Sequence, residues 1–272
     1  MTLPADNERK GSLTPAEKSG IVAFLLAALL CFIDPRLATL PLCLFLLLCL
    51  AAPFLPRFGF FLPIISRSTT GSKGVALTFD DGPSPSSTPI VLDLLDSYQL
   101  KATFFVIGEK AARHPDLIAD ILSRGHSIGN HSWRHDHLLM LRSRKRLEQD
   151  IHQTQEILKQ AGIQALAFRP PVGISNPRLK QVLVDENLVT VTFSCRVFDQ
   201  GNRKIENLAR RILHKLKEGD ILLLHDIAPE KDAMASYWEN ELNTLFSSLH
   251  KGGYDVQPLE RLIGQPVMIH TK

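Results

Sequence analysis

The chain has 272 residues, of which 44% are apolar and 22% are charged, so it can form one large domain with an accessory segment and is not disordered. A formal net charge of +3, with no zinc-finger pattern and no RNA-binding signature, gives no indication of nucleic acid as a partner. Cys31, Cys43 and Cys49 lie in an apolar N-terminal stretch, and Cys195 is alone in the rest, which excludes a disulfide framework there.

Residues 20–55 form the predicted membrane anchor, which follows a polar N-terminal segment at residues 1–19. As one helix the stretch would run roughly 54 Å at about 1.5 Å per residue, against a hydrocarbon core of about 30 Å. The sequence Asp34-Pro35-Arg36 divides it into residues 20–33 and 37–55, which favours a tight helical hairpin of two membrane helices. Two alternatives stay open: a signal-peptide core in the first piece, or a single span that follows an interfacial segment.

Basic residues flank the anchor on both sides: Arg9, Lys10, Lys18, Arg57, Arg67 and Lys73. With two spans, this symmetry favours both ends in the cytoplasm, whereas a single span would place the large domain outside. The expected location is therefore the cell (inner) membrane, with the side of the main domain left open.

Beyond a linker at residues 56–73, apolar runs of strand length alternate with segments of helical period through the main domain, residues 74–272. The predicted strands are residues 75–79, 102–107, 166–168, 188–193, 221–224 and 254–256. The predicted helices are residues 89–98, 115–124, 143–161, 177–186, 205–217 and 237–251. This alternation predicts an α/β fold with parallel strands, either a (β/α) barrel or an open doubly wound sheet. No phosphate-binding loop follows any strand, which is evidence against a doubly wound sheet that binds a nucleotide.

Reactive side chains follow these strands at their carboxyl ends, where a barrel places its active site. Asp80 and Asp81 end the first strand, although an adjacent pair of carboxylates is commonly only the start of a turn. On a helical turn, His131 and His135 would project from one face, and with a carboxylate they would suit a divalent metal. The nearby His137 leaves the choice of histidine ligands ambiguous.

Three later strand ends carry Arg169, Asp199 and His225. An arginine can hold a carboxylate through two hydrogen bonds, although a proline-rich turn with a solvated arginine is the simpler interpretation of the sequence FRPPVG. Asp199 alone is weak evidence, and His225 at a strand end can merely cap the sheet. The hypothesis of a single site depends on all five strand ends together.

The motifs TFDDGPS at residues 78–84, NHSWRH at 130–135, FRPPVG at 168–173 and LLLHD at 222–226 resemble those of the polysaccharide deacetylase family, the NodB-homology carbohydrate esterases of family 4. The Asp199 region lies in the corresponding order between the last two motifs. The resemblance spans about residues 74–226 and does not cover the first 70 residues.

This resemblance implies a distorted (β/α) barrel and the hydrolysis of an N-acyl group on an amino sugar. It also implies a divalent metal held by Asp81, His131 and His135, with Zn²⁺ expected first and Co²⁺ or Mn²⁺ as alternatives. A bound metal activates water and polarises a carbonyl, which meets two needs of amide hydrolysis.

By the same resemblance, Asp80 is the general base, Arg169 orients it, and His225 is the general acid. Asp199 then tunes the Arg169 and His225 group. Because successive strand residues point to opposite faces, this division of roles between Asp80 and Asp81 requires a bend after the strand.

The resemblance assigns substrate contacts to Pro170, Val172 and Leu223, with Leu223 lining the site of the acyl methyl group. Val172 stands where the family usually has an aromatic residue, and its backbone N–H is still available to an oxyanion. Gln200 replaces an expected tryptophan, which removes an apolar wall and leaves a formyl or another small polar acyl group open.

The sequence therefore predicts a membrane-anchored, metal-dependent hydrolase that removes an N-acyl group, acetyl first, from a cell-envelope polysaccharide or a lipid-linked glycan. The alternatives are a deformylase of a lipid-linked amino sugar and a non-catalytic carbohydrate-binding protein on the same scaffold. A metal-dependent phosphoesterase would need more ligands, and adjacent aspartates are too close to flank a sugar bond. Basic residues at 142–146 and 203–217 are either solvated helix faces or contacts for an anionic membrane or a lipid-linked phosphosugar.

Overall fold

A computed structural model describes residues 13–271, except for the side chain of residue 232. Residues 1–12 of the predicted polar segment 1–19 lie outside the described residues. The α-helices are α1 Pro15–Cys31, α2 Thr39–Ala51, α3 Thr88–Ser97, α4 Gly108–Arg113, α5 Pro115–Ser123, α6 Arg144–Gln160, α7 Pro177–Asp185, α8 Leu208–Lys215, α9 Asp232–Lys251 and α10 Leu259–Ile263. The strands are β1 Ala76–Asp80, β2 Ala102–Val106, β3 Ser127–Asn130, β4 Ile163–Ala165, β5 Ala167–Phe168, β6 Val189–Thr190, β7 Ile221–His225 and β8 Met268–His270.

Six of these strands form a parallel sheet in the order β6-β5-β3-β2-β1-β7. After β6, an isolated parallel bridge joins Cys195 to Leu222 of β7, so the chain reaches the other edge strand and the sheet curls towards a barrel. Parallel strands require crossover connections, and helices fill most of them here. The sheet and helices confirm the predicted α/β fold and fit a distorted (β/α) barrel.

The central strands are buried on both faces, because helices cover the curled sheet. All five residues of β1 and all five of β2 are buried. Phe79 of β1 stacks on Phe104 of β2 at 5.2 Å between ring centroids, and Phe246 of α9 packs edge-on against Phe79. This packing fixes the positions of the strands, and the side chains that follow them therefore meet at one end of the sheet.

The differences from the sequence-based prediction concern short elements. The predicted strand at residues 254–256 is wrong, since the structure has only an isolated bridge between Val75 and Val256 there. The predicted strand at 188–193 shortens to Val189–Thr190, and neither β3 nor the antiparallel pair of β4 and β8 was predicted.

The N-terminal apolar stretch folds as a helical hairpin, and its two helices α1 and α2 pack against each other. Thr14 caps α1, since its hydroxyl accepts from the Glu17 N–H while the Glu17 carboxylate accepts from the Thr14 N–H. The helix therefore begins at Pro15, earlier than the predicted residue 20. Within the described chain, none of the helices combines the length and the apolar character that a membrane crossing needs. The predicted spans therefore stay a prediction.

Residues 56–73, the predicted linker, lie against the main domain. Phe60 and Leu62 are buried, Ile65 forms a bridge with Val191, and Arg67 pairs with Asp220 at 3.0 Å. The hairpin is thus joined to the main domain by a packed segment. The division into residues 1–19, 20–55, 56–73 and 74–272 stays a prediction.

Candidate active site

Two adjacent carboxylates reach the same site because the backbone bends sharply after β1. Asp80 is the last residue of β1 and is buried, and Asp81 has a φ of 71°, in the left-handed region. This conformation breaks the alternation of the strand, so that Asp81 does not point to the opposite face. Gly82 is required next, because a Cβ atom there would overlap the carboxylate of Asp226. The bend expected from the sequence is therefore present.

Asp81, His131 and His135 come together at this end of the sheet, with one potential ligand atom from each lying within 4.8 Å of the others. The Oδ1 atom of Asp81 lies 3.4 Å from Nε2 of His131 and 3.2 Å from Nε2 of His135. His137 stacks edge-on against His135 and lies outside this group of three.

The loop after β3 orients both imidazoles, and it is not the helical turn considered in the sequence analysis. The backbone N–H of His131 donates to the Val106 carbonyl, and its Nδ1 lies 2.7 Å from the Arg169 carbonyl. A carbonyl accepts the Nδ1 proton, which leaves the Nε2 lone pair free. Ser132 and His135 have φ values of 71° and 53°, and this left-handed backbone brings the second imidazole to Asp81.

The donor set fits a divalent metal ion. Oδ1 of Asp81 is buried and has no hydrogen-bond partner among the described residues, which leaves a carboxylate oxygen for a cation. Burial raises the pKa of Asp81, but His131 and His135 outweigh this and the net pKa is lowered. Burial is the largest cause that lowers the pKa of His135, to about 4, so this imidazole is neutral and can act as a ligand. One carboxylate and two imidazoles suit Zn²⁺ with open positions for water and substrate.

Arg169 holds Asp80 in place through a buried network. Its guanidinium Nη1 donates to Oδ1 of Asp80 at 2.6 Å and to Oγ1 of Thr78 at 2.8 Å. Nε and Nη2 donate to the carbonyls of Val191 and Thr192, and the group lies 4.0 Å above the ring of Phe105. Oδ2 of Asp80 is left facing the site, 3.8 Å from Nε2 of His131. Arg169 therefore fixes one oxygen of Asp80 and leaves the other free to accept a proton.

His225 pairs with Asp199 on the other side of the site. Asp80 and His225 are direct neighbours in the register of β1 and β7. Nδ1 of His225 lies 3.0 Å from Oδ2 of the buried Asp199. Burial lowers the pKa of His225, but the hydrogen bond and the charge of Asp199 outweigh it and the net pKa is raised. The pair favours a protonated imidazole, which is the form that a general acid requires.

A cleft of about 1130 Å³ contains all ten residues that the sequence analysis singled out for the site. The predicted substrate-binding residues Pro170, Val172 and Leu223 line it, together with Gln200. Phe198 also lines this cleft and is exposed, so an aromatic side chain stands near the position where the expected tryptophan is missing. The geometry is consistent with the predicted roles, which stay predictions.

Sequence reasoning assigned no role to several residues that support the site. Asp226 is buried and accepts hydrogen bonds from Ser87 and Thr88, so it holds the loop that follows Asp81. Nζ of Lys110 donates to the Asp81 carbonyl at 2.7 Å. Asp226 could have been found as the last residue of LLLHD, whereas nothing in the sequence around Lys110 indicates its contact.

Comparison with known proteins agrees with this geometry. A family model described as "Polysaccharide deacetylase" matches residues 67–191, which include Asp80, Asp81, His131, His135 and Arg169. A peptidoglycan-N-acetylglucosamine deacetylase, PgdA of Listeria monocytogenes, is 34% identical over 207 residues, which are 76% of this chain and 42% of that protein. A chitooligosaccharide deacetylase of Sinorhizobium fredii is 32% identical over 73% of this chain and 96% of that protein.

The solved structures include the Bc1960 peptidoglycan N-acetylglucosamine deacetylase, which superposes with a TM-score of 0.67 at 26% identity and covers 75% of this chain and 94% of that chain. The chain belongs to the polysaccharide deacetylase family. The relatives named above are deacetylases, and a solved structure of similar fold is a family 4 carbohydrate esterase from Streptomyces lividans. The chain spans less than half the length of the Listeria relative.

Proposed function

We propose that the chain is a metal-dependent deacetylase that removes an N-acetyl group from an amino sugar in a cell-envelope glycan. The observation that carries this proposal is the convergence of Asp81, His131 and His135 within 4.8 Å, beside the separately held carboxylate of Asp80. Relatives named as peptidoglycan and chitooligosaccharide deacetylases support a glycan substrate.

Each residue of the site then has a distinct task. A bound divalent ion, held by Asp81, His131 and His135, supplies an acidified water and a polarised carbonyl. Oδ2 of Asp80 takes a proton from the attacking water, because Arg169 occupies the other oxygen. His225, whose protonated form is favoured by Asp199, donates a proton to the departing amine.

Membrane attachment through the hairpin is part of the proposal. Large apolar side chains of α1 and α2 are exposed in the isolated chain, including Phe24, Leu25, Leu40 and Leu47. Exposed apolar surface of this extent favours insertion into lipid. We propose the cell (inner) membrane as the location. Full-length protein should stay in the membrane fraction after a high-salt wash, and its release by salt would contradict the attachment.

Acetate release tests the proposed activity. Purified full-length protein with Zn²⁺, Co²⁺ or Mn²⁺ should release acetate from N-acetylchitooligosaccharides and from peptidoglycan fragments, and chelation should stop the reaction. N-formyl versions of the same sugars test the effect of Gln200 in the cleft. Faster release of formate than of acetate would show that the enzyme is a deformylase and not a deacetylase. No release from any substrate would contradict the proposal.

A further inference from the structure

A second groove adjoins the catalytic cleft on the side of the N-terminal hairpin. It has a volume of about 680 Å³ and lies between residues 55–58, which follow the hairpin, and the segment after β6. Phe193, Arg196 and Phe198 line both the groove and the catalytic cleft. We call it the anchor-side groove. A molecule with its sugar in the cleft can therefore extend into this groove along one continuous surface.

The hairpin is fixed beside the groove through residues 56–60, which follow it and contact both the main domain and the start of α1. A Cβ atom on Gly173, in the loop that carries the predicted substrate contacts, would lie 2.9 Å from Cβ of Pro56. At the start of α1, the Ala16 N–H donates to the Phe60 carbonyl at 3.0 Å. The exposed apolar side chains of the hairpin are therefore held close to the active-site mouth, and a membrane that receives them lies near the cleft.

The groove carries positive charge and no negative charge. Arg57, Arg196 and Lys215 line it, and none of its lining residues is a carboxylate. Among the side chains that the structure describes, no carboxylate oxygen lies within 4.0 Å of the charged nitrogens of these three residues. Arg57 makes one long contact of 3.5 Å with the Ser194 carbonyl, and Arg196 lies above the ring of Phe193. Two guanidinium groups and an ammonium group without anionic partners complement a phosphate.

Exposed apolar side chains line the groove beside these cations, and one more precedes it at the end of the hairpin. Phe54, Leu55, Phe58 and Phe198 are all exposed. A neutral polysaccharide such as a chitooligosaccharide has neither an anionic group for the cations nor a hydrocarbon chain for the apolar rim, and a polysaccharide that carries carboxylates still has no hydrocarbon chain. An amino sugar linked to a lipid through a phosphate has both groups. Its sugar, phosphate and lipid chain follow one another in the same order as the cleft, the groove and the hairpin.

We propose that the anchor-side groove binds the phosphate or diphosphate that links an amino sugar to a membrane lipid, while the sugar occupies the catalytic cleft. This inference rests on the proposed deacetylase function and names its substrate class. The groove then selects a membrane-borne substrate, and the hairpin holds the enzyme at the surface where that substrate lies.

Kinetics with three substrates test the proposal on the full-length enzyme in detergent micelles. The substrates are an N-acetylchitooligosaccharide, N-acetylglucosamine 1-phosphate, and N-acetylglucosamine joined to farnesol through a diphosphate. We expect the farnesyl substrate to have the highest kcat/KM. In Arg57→Ala, the kcat/KM ratio of the farnesyl substrate to the chitooligosaccharide should fall by roughly tenfold, since a hydrogen bond to a charged group is lost. Because the ratio compares two substrates in one preparation, a partly folded variant does not affect it.

Two further variants complete the design. Arg57→Lys retains the charge and should recover most of the ratio. Arg261→Ala removes an exposed arginine of α10 that lines neither the groove nor the cleft, and it should leave the ratio unchanged. A ratio that falls as far in Arg261→Ala as in Arg57→Ala would overturn the groove assignment.

The remaining outcomes separate the inference from the function on which it rests. Turnover of the chitooligosaccharide without any preference for the farnesyl substrate would overturn the inference and leave the deacetylase function standing. Equal kcat/KM for the sugar phosphate and the farnesyl substrate would overturn the lipid part of the proposal. No turnover of any substrate would overturn both proposals.

Discussion

The buried pair of Arg169 and Asp80 provides a quantitative test of how the site is built. Arg169 is 1% exposed and Asp80 is 5% exposed, so removing one partner leaves a charge in a medium that solvates it poorly. For Arg169→Met we expect a loss of about 3–5 kcal/mol in the free energy of unfolding. The substitution also leaves the carbonyls of Val191 and Thr192 without their donors. The assay is urea denaturation followed by circular dichroism, in the presence of a chelator so that metal binding does not contribute.

A double-mutant cycle isolates the pair from the rest of the network. Asp80→Asn should cost about 1–3 kcal/mol, because the guanidinium loses its anion. The double variant with Arg169→Met and Asp80→Asn should lose less free energy of unfolding than the two single variants lose in sum, by about 1–3 kcal/mol. Arg210→Met, at an exposed helix position, serves as the control and should stay within about 0.5 kcal/mol of the parent. Additivity of the two losses to within about 0.5 kcal/mol would refute the coupling that the structure implies.

Three further predictions concern the site. In Asp199→Asn, loss of the anion beside His225 should lower the pKa of that histidine. The fall of kcat at alkaline pH should therefore begin at lower pH than in the parent, and an unchanged pH profile of kcat would contradict this. Gly82→Ala places a methyl group against the Asp226 carboxylate and should cost about 1–3 kcal/mol in chemical denaturation, whereas parental stability would contradict the tight fit. Chelation should lower the Tm of the parent in calorimetry, because an ion present at roughly 100 Kd contributes about 2.7 kcal/mol to the free energy of unfolding. The Tm of His131→Ala should not change on chelation, because this variant does not hold the ion.

The sequence predicts β1, β2 and β7 well because each is a continuous, buried apolar run. These three strands begin and end within one or two residues of the predicted bounds for this reason. The four-residue β3, in the middle of the sheet, contains no such run and was not predicted. Strands end where the polar residues begin, so the same pattern located Asp80, Asp81 and His225. β4 and β8 have three residues each and pair over a long distance in the chain, and no local pattern marks them.

Local backbone geometry and long-range contacts were beyond sequence reasoning. The spacing of His131 and His135 was compatible with a helical turn, but left-handed backbone at Ser132 and His135 produces the contact with Asp81 instead. The anchor-side groove joins Arg57 to Arg196, which lie in distant parts of the chain and become neighbours only through the packing of residues 55–58 against the segment after β6.

Metal content measured together with activity tests the central claim most directly. The claim is that Asp81, His131 and His135 hold one ion while Asp80 acts beside it without being needed for binding. Plasma emission spectrometry should find one ion per chain in both the parent and Asp80→Asn, with acetate release abolished in that variant, whereas His131→Ala should lose the ion. An Asp80→Asn variant that is metal-free or fully active, or a His131→Ala variant that keeps its ion, would contradict the account.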